Sequence, residues 1–138
     1  MRRRRKRSKY SAIKKKCNTS YRDAPLPVWF FTAPAGTCRW CNKSVFRANG
    51  LPSNGRWHKE CLHPYFMLTR QSYVKREVKK RDKGICAKCG TQCRYKNEWD
   101  LDHTKPLIEA NGNLWYWSLE NLQTLCKKCH KIKTASEN

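Results

Sequence analysis

The sequence predicts a small α+β protein that is held together by more than an apolar core. Three observations carry this. Leu, Ile, Val and Phe account for only 22 of 138 residues, while the formal net charge is +21. A chain so poor in aliphatics and so highly charged cannot offset its ordering entropy by apolar burial alone. Yet it holds nine cysteines and six tryptophans, which no disordered tail needs. Finally, stretches of alternating apolar residues sit beside stretches with helical spacing, so strands and helices both occur.

The same composition excludes several classes. No run approaches the 18 or so apolar residues of a membrane helix. The basic N-terminus is not followed by an apolar run, so it does not read as a secretory signal. The expectation is an intracellular chain, nuclear in a eukaryote and cytoplasmic in a prokaryote or phage. Its thiols are then reduced. The odd number of cysteines also argues against a disulfide framework. The large positive charge points to a polyanionic partner, nucleic acid above all.

Residues 1–16 carry ten basic side chains, among them Arg2, Arg3, Arg4, Arg5, Lys6 and Arg7, and the first acid is Asp23. This segment reads as a disordered basic arm that contacts phosphates. Residues 17–37 read as a linker, because Pro25, Pro27 and Pro34 forbid a long helix. Trp29, Phe30 and Phe31 should pack onto the next segment of the chain.

Residues 38–63 hold Cys38-x-x-Cys41 and His58-x-x-Cys61. Such pairs put two donors on one turn, and together they make a tetrahedral Cys3His zinc shell. His63 is a rival fourth ligand at poorer spacing. Between the pairs, short strands should be broken by turns at Asn49-Gly50 and Asn54-Gly55. Residues 64–84 read as one connecting helix. Leu62, Phe66, Tyr73, Val74 and Val78 fall roughly on one face, basic residues end it at Lys79–Arg81, and Gly84 stops it.

Residues 85–138 form the last unit. Cys86-x-x-Cys89 is answered by Cys126-x-x-Cys129, four thiolates at zinc spacing. The alternation of Trp99-Asp-Leu-Asp-His103 reads as a strand. A second strand over Leu122–Leu125 should lead into a helix from about Lys127. That helix carries His130, one residue past a zinc ligand, so the zinc fixes His130 relative to Asp102 and His103. A carboxylate and an imidazole so placed can hold one divalent cation, and a second imidazole can act as a base.

Residues 85–134 resemble the HNH endonucleases, whose ββα-metal fold carries the pattern D-H … N-L … C-x-x-C-H-x-x-K. The matching residues are Asp102-His103, Asn121-Leu122 and Cys126-Lys-Lys-Cys129-His130-Lys-Ile-Lys133. The upstream module and helix are similar to those preceding this segment in small phage HNH proteins and in a eukaryotic DNA-annealing helicase. The resemblance implies Asp102 and His130 as ligands of a catalytic divalent ion, His103 as general base, and Asn121 as the brace of the loop carrying the base. It implies DNA as substrate. It also implies two structural Zn²⁺ ions and a working Mg²⁺ or Mn²⁺, with Zn²⁺, Co²⁺ or Ni²⁺ admitted by the imidazole ligand. Lys133 is assigned to a phosphate.

The chain departs from the pattern in one respect. Seventeen residues separate His103 from Asn121, including Leu114-Trp-Tyr-Trp117, where many members have a short Gly-rich loop. These aromatics read as core cover, with base stacking as the other use. Cys17 and Cys93 have no assigned role; Cys93 is either a packing residue or an alternative zinc ligand. Two rival functions stand beside a DNA nickase or double-strand cutter. One is a non-catalytic zinc-dependent nucleic-acid binder, which would not need Asp102, His103 and His130 together. The other is an RNA-directed nuclease. Attachment to larger DNA-processing machinery is a further expectation.

Overall fold

A computed structural model describes residues 22–137. The basic arm and Cys17 therefore lie outside the described residues. Five regular elements succeed one another: α1 (Leu62–Thr69), α2 (Gln71–Asp82), β1 (Trp99–His103), β2 (Leu122–Cys126) and α3 (Lys127–Glu137). The strands pair antiparallel, with Trp99 opposite Cys126, Asp102 opposite Gln123 and His103 opposite Leu122. Among the described residues this is the only sheet. The structure is thus a small α+β fold whose last three elements form a ββα unit.

Strand alternation sorts β1 into two faces. Trp99 joins a core with Met67 of α1, Val74 and Val78 of α2, Cys93 and Leu122, and Leu101 packs against it. Val74 and Val78 are one helical turn apart, so α2 offers them on one stripe. Asp100 and Asp102 occupy the alternate positions, and both carboxylates meet side chains of α3. β1 therefore turns Trp99 and Leu101 to this core, and Asp100 and Asp102 to α3.

The single connecting helix of the sequence reading is interrupted. Arg70 is extended (φ −123°, ψ 97°) between α1 and α2. Thr69 turns its hydroxyl back onto the Tyr65 carbonyl at 2.8 Å, a local bond that competes with helix continuation. The Arg70 guanidinium lies 3.9 Å from the centre of the Phe66 ring, and Tyr73 bonds His63 at 2.6 Å. His63 is thereby engaged away from the cysteines. The far end of α2 matches expectation, with Lys79, Lys80 and Arg81 in its last turn and a left-handed cap at Lys83.

The segment read as a linker belongs to the first module from residue 27 onward. Phe30 is fully buried, stacked on Tyr65 at 5.5 Å and edge-on to Trp57 at 5.9 Å. The short strands expected between Val45 and Trp57 reduce to one isolated bridge, Phe46 with Pro52, and a second bridge, Thr37 with Ser44, precedes it.

The two modules share one turn design, residue for residue. Cys38 N–H donates to Lys43 and Cys86 N–H to Thr91, at 2.8 and 2.9 Å. Asn42 and Gly90, each just after its C-x-x-C pair, have φ of 60° and 74°. Val45 N–H reaches Gly36 and Cys93 N–H reaches Gly84, both at 2.8 Å. Arg39 and Ala87 then bond Arg56 and Thr124 of the returning chain, at 2.9 and 2.8 Å. A Cβ at Gly84 would lie 2.4 Å from the Cys93 carbonyl oxygen, so only glycine fits there. By this correspondence Cys93 stands where Val45 stands, buried in the core, which makes it a packing residue.

Candidate active site

Two donor quartets are assembled. The ligand atoms of Cys38, Cys41, His58 and Cys61 lie within 4.8 Å of one another, and so do those of Cys86, Cys89, Cys126 and Cys129. Both groups could hold a metal ion. In the first, His58 Nδ1 is 3.2 Å from Cys41 Sγ while its Nε2 donates to the Ser44 carbonyl at 2.9 Å. That bond turns the unprotonated nitrogen toward the thiols, as a metal-ligating histidine requires.

In the second quartet, burial works against ionising Cys86, but backbone N–H groups outweigh it and draw the thiol down to about 6. Hydrogen bonding to Cys126, then burial, pushes Cys129 up to about 12. Four thiolates cannot all carry charge there unaided. The set fits a dication that compensates them, and tetrahedral zinc is the ion such donors suit.

The ββα unit builds a third group of side chains toward the loop end of the hairpin, where His103 lies opposite Leu122. Asp102 is 8% exposed. Its Oδ2 accepts from Gln123 Nε2 at 2.8 Å and from Lys133 Nζ at 2.7 Å. Its Oδ1 lies 3.8 Å from His130 Nε2. The other nitrogen of His130, Nδ1, donates to Asp100 Oδ2 at 2.8 Å. Lys127 pairs with the second Asp100 oxygen at 2.5 Å. Asp102 Oδ1 and His130 Nε2 thus face each other as the donors their neighbours leave uncommitted.

His103 ends β1 beside this pair. Burial is the main cause that holds its imidazole below the ordinary 6.5; Asp102 pulls it up and Lys133 pushes it down. The ring is therefore neutral near pH 7, the form a general base needs. Asn121 is fully buried. Its amide oxygen accepts from Lys105 N–H at 2.7 Å, and its amide nitrogen donates to the Lys105 and Tyr116 carbonyls at 3.0 and 2.9 Å. Its backbone carbonyl accepts from Thr104 at 2.8 Å. One side chain thus pins the chain that leaves His103.

These groups border a cleft of about 1060 Å³. Asp102, His103, His130 and Lys133 line it, with Leu107, Trp117 and the α1–α2 corner across from them. Arg22 and Asp23 also line it, and Trp117 Nε1 donates to the Arg22 carbonyl at 3.2 Å.

The structure brings Asp102, His103, Asn121 and His130 to one end of the hairpin. Lys133, assigned to a phosphate from sequence, is instead turned inward onto Asp102. Sequence reasoning missed Gln123 and Lys127 and gave Asp100 no definite part. A signal was there. Lys127, His130, Lys133 and Glu137 recur every three or four residues, one face of a helix. Asp100 and Asp102 share a strand face, which that helix then meets.

A hairpin and a helix joined by a four-cysteine group, with a carboxylate–imidazole pair toward the loop end, define the ββα class. Residues 86–136 match the family model described as HNH endonuclease, and this segment belongs to that family. A probable HNH endonuclease of Lactococcus phage SK1 is 39% identical over 64 residues, which cover 45% of this chain and 66% of that protein. The mouse "DNA annealing helicase and endonuclease ZRANB3" is 25% identical over a 117-residue alignment, covering 56% of this chain and 11% of that protein. Its human counterpart is 49% identical over 39 residues, 28% of this chain and 3% of that protein. The chain thus spans under two thirds of the phage relative and about a tenth of the mouse one. No solved structure matches it. Among the described residues, no helix is long and apolar enough to cross a membrane.

Proposed function

We infer that the protein is a metal-dependent DNA endonuclease. The carrying observation is the facing pair, Asp102 Oδ1 and His130 Nε2 at 3.8 Å, in the cleft that also holds a neutral His103. Asp102 and His130 would hold a divalent cation, Mg²⁺ or Mn²⁺. When bound, it supplies positive charge that stabilises the phosphate and the leaving oxygen as charge develops.

The chain's own residues do the rest. His103 takes a proton from the water that attacks phosphorus in line. The bond from phosphorus to the 3′ oxygen breaks, leaving a 5′ phosphate and a 3′ oxyanion that takes a proton from solvent water to become the hydroxyl. Asn121 holds the loop behind His103, so the base keeps its aim. Two structural Zn²⁺ ions in the quartets hold the frame.

DNA is supported as substrate by the relatives, which are named for DNA annealing and endonuclease activity, and by the net charge of +21. The basic residues Arg2, Arg3, Arg4, Arg5, Lys6 and Arg7 lie outside the described residues, and their charge is assigned to phosphate contacts.

The test is cleavage of supercoiled plasmid by the zinc-loaded protein with added Mg²⁺ or Mn²⁺, wild type beside His103→Ala. Wild type should yield open circles or linear DNA, and the variant should lose roughly 10²- to 10⁴-fold in rate while still shifting DNA in a gel. If neither cuts and both shift DNA, the reading of a non-catalytic binder replaces this one.

A further inference from the structure

We propose that Lys133 is a positioning residue for Asp102 and for the strand end bearing His103, and not a phosphate contact. This rests on the reading of the site as a nuclease centre. An ammonium has three N–H donors and no more. The Lys133 nitrogen lies 2.7 Å from Asp102 Oδ2, 2.7 Å from the His103 carbonyl oxygen and 3.1 Å from Glu137 Oε1. These three acceptors account for every donor, and the side chain is only 15% exposed. A phosphate oxygen could engage Lys133 only by displacing one of them.

What the contacts accomplish is specific. The bond to Oδ2, shared with Gln123, fixes the rotation of the carboxylate so that Oδ1 is the oxygen facing His130. The bond to the His103 carbonyl fixes the backbone from which the base projects. One nitrogen from α3 therefore sets the metal-binding carboxylate and the base relative to each other. Arginine could not replace it, because its planar fork cannot reach three acceptors arranged around a single nitrogen. At a phosphate, by contrast, arginine serves at least as well as lysine.

The experiment compares wild type, Lys133→Met and Lys133→Arg as full-length, zinc-loaded chains. Binding to a random-sequence duplex is measured without added divalent metal, as the logarithm of the binding constant against the logarithm of salt. Plasmid cleavage is resolved into kcat and KM. The expected result is an unchanged salt slope and KM in both variants, with kcat reduced roughly a hundredfold in each, the scale of a small misplacement at a reacting centre. A slope shallower by about 0.9 in Lys133→Met, restored with activity in Lys133→Arg, would mark a lost phosphate contact and overturn the proposal.

Should the methionine variant lose its zinc, the wild-type Lys133 ammonium resonance decides. It stays in place on DNA addition if the proposal holds, and shifts if the ammonium moves to phosphate. His103→Ala separates the two failures. If that variant still cleaves, the reading of the site fails and takes this inference with it. If it is dead while Lys133→Met keeps its kcat, only the assignment of Lys133 falls.

Discussion

In the first module the residue after the last ligand is Leu62; in the second it is His130. The turn that presents Cys38 and Cys41 is repeated bond for bond at Cys86 and Cys89. The difference lies in what is threaded between knuckle and helix. Sixteen residues separate Cys41 from His58, room for one isolated bridge, Phe46 with Pro52. Thirty-six separate Cys89 from Cys126, room for β1, a long loop and Asn121. The two histidines make the same point. His58 gives Nε2 to a carbonyl and turns Nδ1 to the thiols, whereas His130 gives Nδ1 to Asp100 and turns Nε2 to Asp102. In each case a fixed second partner selects the nitrogen that is offered. The frame is chemically neutral, and an inserted strand makes it a site.

The strongest way to break this contrast is to remove one ligand from each module. Structural zinc contributes on the order of 10 kcal/mol to small domains, so each loss should be severe where it acts. Cys129→Ser should abolish plasmid cleavage and the dispersed NMR signals of β1, β2 and α3. Cys61→Ser should lose the other zinc and disperse the Phe30–Tyr65–Trp57 cluster, yet leave the ββα signals in place. If both variants unfold the whole chain alike, the modules are one cooperative unit.

Asn121 comes next, because nothing in the first module corresponds to it. Asn121→Ala leaves buried backbone groups of Lys105 and Tyr116 unpaired, a cost of about 1–3 kcal/mol. Urea denaturation of the zinc-loaded chain should show that loss, with cleavage reduced while zinc content is unchanged. Asp100→Ala is milder. Freed from its partner, His130 should lose the preference for the Nδ1–H tautomer seen by ¹⁵N NMR, and Mn²⁺ affinity should fall roughly tenfold. Asp100→Asn, which keeps an acceptor, should retain most of both.

The smallest expected effect is on pH. A neutral base requires a pH above its own pKa, and burial holds His103 below 6.5. Cleavage should therefore climb with pH along a limb lying below 6.5 and be flat through neutrality. A limb centred above 6.5 would mean that the titrating group is not a buried His103.

Much of this was legible because ligand spacing is local chemistry. Two donors three residues apart on a turn converge whatever surrounds them, so both quartets could be read directly. The pairing of Asp102, His103 and His130 was legible through the family pattern. The break at Arg70 was not, since it goes with side-chain contacts, Arg70 over Phe66 and Tyr73 on His63, that helical periodicity does not contain. Nor was the inward turn of Lys133. A lysine at the end of a basic stretch looks solvated until the register of β1 against α3 sets two acceptors beneath it. The packing of Phe30 onto the following segment was legible, because proline-rich sequence signals an irregular path, not an exposed one.

Asn121 ties Lys105 to Tyr116 through a single buried amide. Whatever lies between those two residues leaves and re-enters the fold at one fixed point. Closing a longer loop across that point costs little, about 0.6 kcal/mol for each doubling of length. The segment can thus change length at little closure cost, provided that Ala110, 3% exposed, keeps its burial. Leu107 and Ile108 of this segment form part of the wall of the cleft, so a change in the segment reshapes that wall and leaves the side chains of the hairpin in place.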